Sequence, residues 1–372
     1  MEVYQEASFG CETEVGPMAR SGDREYVTGT AILAPEHPVL PLGADVVQVG
    51  VGPQALRLCG DRDQIDAALL GLRRGQPVGG AEDLTDALLR HGLAHHVGER
   101  DRGRARMRNA SLLVEGLGRC GAQIVEHLCV QNVGVLLLRD GRKVGPEDVG
   151  GVYRTAHHGL DRAEALRMAM RRRPERTALI GCPPEARTVG ADLHVLCTGP
   201  GAWETLRRAA SESQTVLPVE LSAAGFRIGP LVSEGRLVCP DCLRLHALDK
   251  DPQWDALQAG LRSAAEEQLR TRRGAAEGGV VGRSAAGQPR DAAGLPSDPQ
   301  LEPSPDAAGG ATDELQAVQA AAMAAHQIST LLAGHSRAAV DGAVLTVDAS
   351  TATPGHHPVM THPECSCRTM VL

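Results

Sequence analysis

The sequence predicts an α/β protein: a small N-terminal winged-helix-like module, then a larger domain on a mostly parallel sheet with a structural metal site. Three observations carry this expectation. From Ser111 to about Leu269, short apolar runs alternate with helical segments, as strands and crossover helices do in a parallel sheet. One such run leads into Gly116-Leu117-Gly118-Arg119-Cys120-Gly121. Two tight cysteine pairs, Cys239/Cys242 and Cys365/Cys367, stand far apart in the chain.

Composition narrows the function classes. The 372 residues are enough for two domains, each with its own core. With 38 Lys+Arg against 46 Asp+Glu the net charge is −8, so nothing draws the chain as a whole to nucleic acid or an anionic membrane. Two Trp, three Tyr and two Phe are too few for a base-stacking platform. The longest apolar run, Val133 to Leu138, is far short of a membrane span, and Met1 to Gly10 carries two Glu and no basic residue, unlike a secretion signal. A soluble, cytoplasmic protein is expected, with neither nucleic acid nor membrane among its partners.

Residues 1–30 lack periodicity and read as a flexible lead-in. The module spans 31–108. Val46 to Val49 and Ala55 to Leu58 flank Gly50-Val51-Gly52-Pro53 as a hairpin would. Asp61 can cap a helix whose Ile65, Ala68, Leu69 and Leu72 keep the i, i+3, i+4, i+7 spacing. Gly79-Gly80 separates it from a helix carrying Leu84, Ala87 and Leu88, and Leu93 to Val97 closes the module as a strand. The sheet domain spans 109–271. Residues 272–312 are rich in Ala, Gly and Pro with almost no large apolar side chain, the composition of a disordered insertion. A helix from Asp313 to Ala333, with Leu315, Val318, Ala322, Ala325 and Ile328 near helical spacing, a strand at Leu345 to Val347 and a cysteine-bearing tail complete 313–372.

Ser111 to Glu115, the glycine loop, a helix to about Gln131 and a strand ending at Asp140 form a Rossmann-like βαβ fingerprint, with the acid 24 residues after Gly116. Here the chain resembles the ThiF family of adenylating enzymes related to ubiquitin-activating proteins. Gly159-Leu160-Asp161-Arg162 is similar to that family's Gly-x-x-Lys, and Asp192 to Thr198 to the strand before its Cys-Thr-Asp-Asn. The resemblance implies a nucleotide site of Gly116, Gly118, Gly121, Asp140 and Arg162. That site is expected to be vestigial. Arg119 replaces the family's middle glycine and would crowd the phosphate approach. Gly199-Pro200 stands where the family keeps the Asp that holds Mg²⁺, and Gly150-Gly151-Val152-Tyr153-Arg154 only partly matches its Asn-x-x-Arg. Adenylation rests on neutralising phosphate charge, so ATP should bind weakly or not at all, and no catalytic residue is assigned.

Cys239-Pro240-Asp241-Cys242 and Cys365-Ser366-Cys367 can close a tetrahedral Cys₄ site. Such a site has no open position, so a Zn²⁺ there would be structural, tying the tail to the sheet domain; His246 and His362 are weaker spare ligands. Gly229-Pro230-Leu231-Val232, the segment Cys239 to His246, Asp249-Lys250-Asp251-Pro252-Gln253-Trp254 and the closing His362-Pro363-Glu364-Cys365-Ser366-Cys367 together resemble ThiF-like proteins of peptide-natural-product clusters. Those are partners of azole-forming YcaO-type cyclodehydratases.

The resemblance implies that the module binds the leader of a ribosomally made precursor peptide by strand addition, and that a separate cyclodehydratase receives it. It is compatible with a homodimer. Expected peptide contacts are Val47 and Val49 on the hairpin, with Ile65 and Leu69 on the helix behind. DNA is a poor alternative, because the two module helices carry Asp61, Asp63, Asp66, Glu82, Asp83 and Asp86. The competing enzymatic reading is ATP-dependent adenylation of a peptide or carrier C-terminus. A nicotinamide-dependent activity has only the glycine loop in its favour.

Overall fold

The computed structural model describes residues 5–8, 30–171, 176–186, 190–213, 215–233, 238–264, 267, 307–334 and 337–367. They form two compact units, Met1–Arg104 and Ala105–Leu372.

In the first unit, β3 (Val39–Pro41), β4 (Val46–Val49) and β5 (Leu56–Cys59) form an antiparallel meander. A short strand from the expected lead-in, β1 (Gln5–Ser8), pairs with β5 in parallel. The closing strand β6 (Ala94–His96) does not join this sheet; it pairs with β2 (Ala31–Leu33). The two helices form as their sequences require. Asp61 caps α1 (Arg62–Arg73), its Oδ1 accepting from the N–H groups of Asp63 at 2.9 Å and Gln64 at 3.3 Å. Ile65, Ala68, Leu69 and Leu72 are buried on its inner face, as are Leu84, Ala87 and Leu88 of α2 (Glu82–Arg90). They pack on Val47, Val49, Leu56 and Leu58 to make this unit's core. The next helix, α3 (Glu99–Asn109), crosses the boundary between the units.

The second unit is an eight-stranded sheet in the order β14-β13-β12-β11-β10-β7-β8-β9. Five strands run parallel: β9 (Ala178–Cys182), β8 (Val135–Arg139), β7 (Ser111–Glu115), β10 (Leu193–Thr198) and β11 (Val216–Ser222). Antiparallel β12 (Gly225–Ile228), β13 (Ala343–Asp348) and β14 (Pro354–Pro358) extend it. From central β7 the chain builds outward through β8 and β9, then returns to β10 on the other side. That reversal opens a crevice at the carboxyl ends of β7 and β10, where such sheets bind ligands. Leu112, Leu113 and Val114 are fully buried, as expected of a strand covered on both faces.

One face is covered by α4 (Arg119–Val130) and α8 (Ala307–Ala333), the other by α6 (Trp203–Glu212), whose Leu206, Ala209 and Ala210 sit on Leu196 and Val216. Helices α5 (Arg162–Met170) and α7 (Pro240–Lys250) and a helical stretch at 254–264 complete the unit. Trp254 meets Trp203 edge to face at 5.1 Å between ring centroids. Helix α8 begins at Ala307, upstream of the expected Asp313; residues 272–306 of the expected insertion lie outside the described residues. None of the helices among the described residues is long and apolar enough to cross a membrane.

Candidate functional site

The glycine loop lies where β7 turns into α4, and two of its three glycines are required by packing. A Cβ on Gly116, whose φ is +84°, would fall 2.0 Å from the Cys197 carbonyl oxygen; one on Gly121 would fall 2.0 Å from that of Gly116. Gly118 differs. Its nearest neighbours would be Asp148 Oδ1 at 3.8 Å and Arg162 Nη1 at 3.9 Å, so a methyl group would fit there.

Those two neighbours belong to a buried lock that joins the expected acid to the expected base. Arg162, at the start of α5, donates to Asp140 Oδ2 at 3.0 Å through Nη1, and to both Asp148 oxygens at 2.6–2.9 Å through Nε and Nη2. All three side chains are 4% exposed. Burial works against the guanidinium charge, but the two carboxylates outweigh it and hold the Arg162 pKa above its ordinary value. Asp140 also accepts from the backbone N–H groups of Leu117 and Arg142, each at 2.8 Å. Tyr153 closes the lock from below, its hydroxyl donating to Leu117 O at 2.7 Å. Burial keeps that phenol protonated, pushing its pKa upward.

Beside the lock, a cleft of about 610 Å³ opens at the carboxyl ends of β7, β8 and β10. Gly199 and Pro200 form part of its wall, and the nearest acid along that stretch is Glu204 of α6. Arg119, expected to crowd this space, is not in the cleft wall; its Nη2 donates to Val149 O at 3.1 Å. Arg154 is exposed.

A second charged cluster underlies the cleft, and sequence reasoning missed it. Arg139, 2% exposed at the end of β8, donates to Glu115 at 3.1 Å, Glu212 at 2.9 Å and Ala186 O at 2.7 Å. Arg208 bonds both glutamates, and fully buried His194 faces Glu115 at 3.1 Å and the Ser213 hydroxyl at 3.1 Å. Burial raises the pKa of each glutamate, but its basic partners dominate and hold both below 4.5. Two signals were available: Glu115 and Arg139 are the charges that end otherwise apolar strands.

The two cysteine pairs, 123 residues apart at their nearest members, converge. Cys239 caps α7, its Sγ accepting from Cys242 N–H at 3.4 Å, with Pro240 filling the first helical position. The Sγ–Sγ separations are 3.6 Å for Cys239–Cys242, 3.5 Å for Cys239–Cys365 and 3.3 Å for Cys242–Cys367. A tetrahedral Zn²⁺ with bonds near 2.3 Å has sulfur–sulfur edges of about 3.8 Å, so a slight expansion would admit the ion. Burial pushes the Cys239 thiol up to about 11, so a metal must displace protons to load.

Next to it, His246, Asp249 and His362 also gather. Glu364 N–H donates to His362 Nδ1 at 3.1 Å, which leaves the ring proton on Nε2, aimed at Asp249 Oδ2 2.9 Å away. His246 Nε2 bonds Met360 O at 2.8 Å. A metal on His362 Nε2 would force a proton onto Nδ1, facing the Glu364 donor. This trio is a hydrogen-bonded latch on the tail.

The four expected peptide contacts require correction. Val47, Val49 and Ile65 are fully buried and Leu69 is 3% exposed, all within the module core. Strand β4 is also bonded on both sides, to β3 and β5, so Val47 and Val49 offer no backbone edge. The hydrophobic pattern that marked these residues marks a core face.

No protein-family model and no curated protein matches the chain. Solved structures do. Escherichia coli MccB with ATP aligns over 91% of this chain and 99% of its own, at 12% identity and a TM-score of 0.59. The same protein with MccA gives the same coverage and identity and a TM-score of 0.61. The microcin C7 biosynthetic enzyme MccB in complex with N-formylated MccA gives 0.59, again at 12% identity, over 91% of this chain and 99% of its own. The chain shares the MccB fold.

Proposed function

We propose that this protein is a ThiF-like leader-peptide-binding partner in ribosomal peptide natural-product biosynthesis, presenting a precursor to a separate YcaO-type cyclodehydratase for azoline formation. The observation that carries the reading is the lock. The acid that would hold ribose and the base that would meet phosphate neutralise each other in a buried ion pair, and Gly199-Pro200 supplies no metal-binding carboxylate. The fold is kept while the residues of adenylation are spent on structure. That MccB has been solved with the peptide MccA, on a fold spanning 91% of this chain, supports a peptide as the ligand. The strand-edged first unit is the part suited to hold it. The cysteine cluster is assigned to structural Zn²⁺, holding the tail.

A second reading, adenylation of a peptide or carrier C-terminus, is favoured by the open cleft and by Glu204 in its wall. Two assays separate them. Pyrophosphate exchange with Mg²⁺-ATP should be at background, and adding this chain to precursor and cyclodehydratase should accelerate azoline formation at least tenfold. Exchange that disappears in Asp140→Ala would establish the second reading. Azoline formation indifferent to this chain would overturn the first.

A further inference from the structure

The meander β3-β4-β5 has two outer edges, and the chain fills one of them with itself. Gln5 to Ser8 lie beside Leu56 to Cys59 in the register Gln5↔Leu56, Glu6↔Arg57, Ala7↔Leu58, Ser8↔Cys59. β3 and β4 join by a four-residue span and β4 and β5 by a short helical turn, whereas residues 9–29 separate β1 from the next described residue. β1 is therefore an added strand remote in sequence from its neighbours, and its pairing with β5 is parallel where the rest of the sheet is antiparallel. Parallel pairing is slightly weaker per residue, and the hydrogen bonds of four residues barely offset the entropy of ordering them. None of Gln5, Glu6, Ala7 and Ser8 brings a large apolar side chain. On the β5 side, by contrast, Leu56 and Leu58 are anchored in the core, so that edge is held rigid whatever lies beside it.

Resting on the peptide-capture reading, we propose that Gln5–Ser8 is a displaceable internal occupant of the β5 edge. It blocks the edge to extended peptides until a longer strand, able to add apolar contacts to its backbone pairing, competes it away. Because the occupant belongs to the same chain, it competes intramolecularly with any incoming peptide, so weak ligands are excluded and only strong ones enter. This supplies selectivity without any residue that reads the peptide's sequence.

The test needs no precursor. The probe is a fluorescein-labelled synthetic peptide of residues 1–10 of this chain, titrated by anisotropy against the full chain and against a chain lacking residues 1–10. A full-length variant, Glu6→Pro with Ala7→Pro, guards against truncation artefacts. Successive residues of a strand point their N–H groups to opposite sides, so one of the two prolines must remove a bond to β5. Binding at least tenfold tighter to the truncated and double-proline chains than to the full chain is expected, with slowed amide exchange at Leu56 to Cys59 when the probe is bound. Equal binding to all three, binding to none, or binding without that protection would overturn the proposal. Such a failure leaves peptide capture standing, since that reading is judged by azoline formation.

Discussion

Arg162 and Arg139 hold the two buried charge clusters, and each is predicted to matter more to folding than to chemistry. Arg162→Ala would leave Asp148 buried without a basic partner and Asp140 with only the half-exposed Arg142 at 3.5 Å, a loss of about 3–5 kcal/mol by denaturant unfolding. Arg162→Lys should cost less, because one ammonium keeps a charge but cannot serve both Asp148 oxygens and Asp140 together. The glutamates beneath the cleft set the acid limit. Glu115 and Glu212 are held below 4.5 in the folded state, so their contribution is present above that pH and is lost as pH falls through their lower folded values. A melting curve should therefore lose ground below about pH 4.5, and the loss should shrink in Arg139→Leu. The glycine triplet, Asp140 and Arg162 were all legible as a nucleotide-type constellation. That Arg162 would spend its charge on Asp140 and Asp148 was not, since Asp148 becomes its neighbour only through the loop before α5.

At the scale of elements, α8 shows where periodicity misleads. Spacing predicts Leu315, Val318 and Ala322 on the buried face, yet Leu315 is 70% exposed, Val318 is 41% exposed and Ala322 is exposed too. The buried face is Ala317, Ala320, Ala321, Ala324, Ala325 and Ile328, and it lies along α4 within the main core. Small side chains let the two helix backbones approach closely, so the larger residues turn outward. Leu315→Ser and Val318→Ser should then change stability by less than about 0.5 kcal/mol, while Ala321→Leu or Ala324→Leu should cost about 1–3 kcal/mol by overpacking. Thermal or denaturant unfolding of the four variants decides it. In the module the same method succeeded, because α1 presents large and small apolar residues on a single face.

For the whole molecule, the cysteine cluster couples the tail to the sheet unit across the long segment between α7 and α8. Cys239→Ser or Cys365→Ser should remove the metal and destabilise the unit, read as lost zinc by elemental analysis and a lowered melting temperature. Since burial holds the Cys239 thiol protonated at neutral pH, zinc loading releases protons, and apparent affinity should rise with pH between 6 and 8. Competition with a chelator at several pH values checks the sign. A metal-free wild type that melts as the loaded protein does would rule out a structural role.

The α/β class, the glycine turn and its packing glycines, the capped helix α1 and the two cysteine pairs were all readable from the residues alone. Each of these rests on local spacing, where backbone geometry and side-chain period fix the outcome within one or two turns. It took the folded chain to show that the cysteine pairs meet, that β6 leaves the meander for β2, that β1 covers β5, and that the acid and base beside the glycine loop cancel. These depend on which distant segments become neighbours, and on burial making an unpaired charge too costly to leave alone.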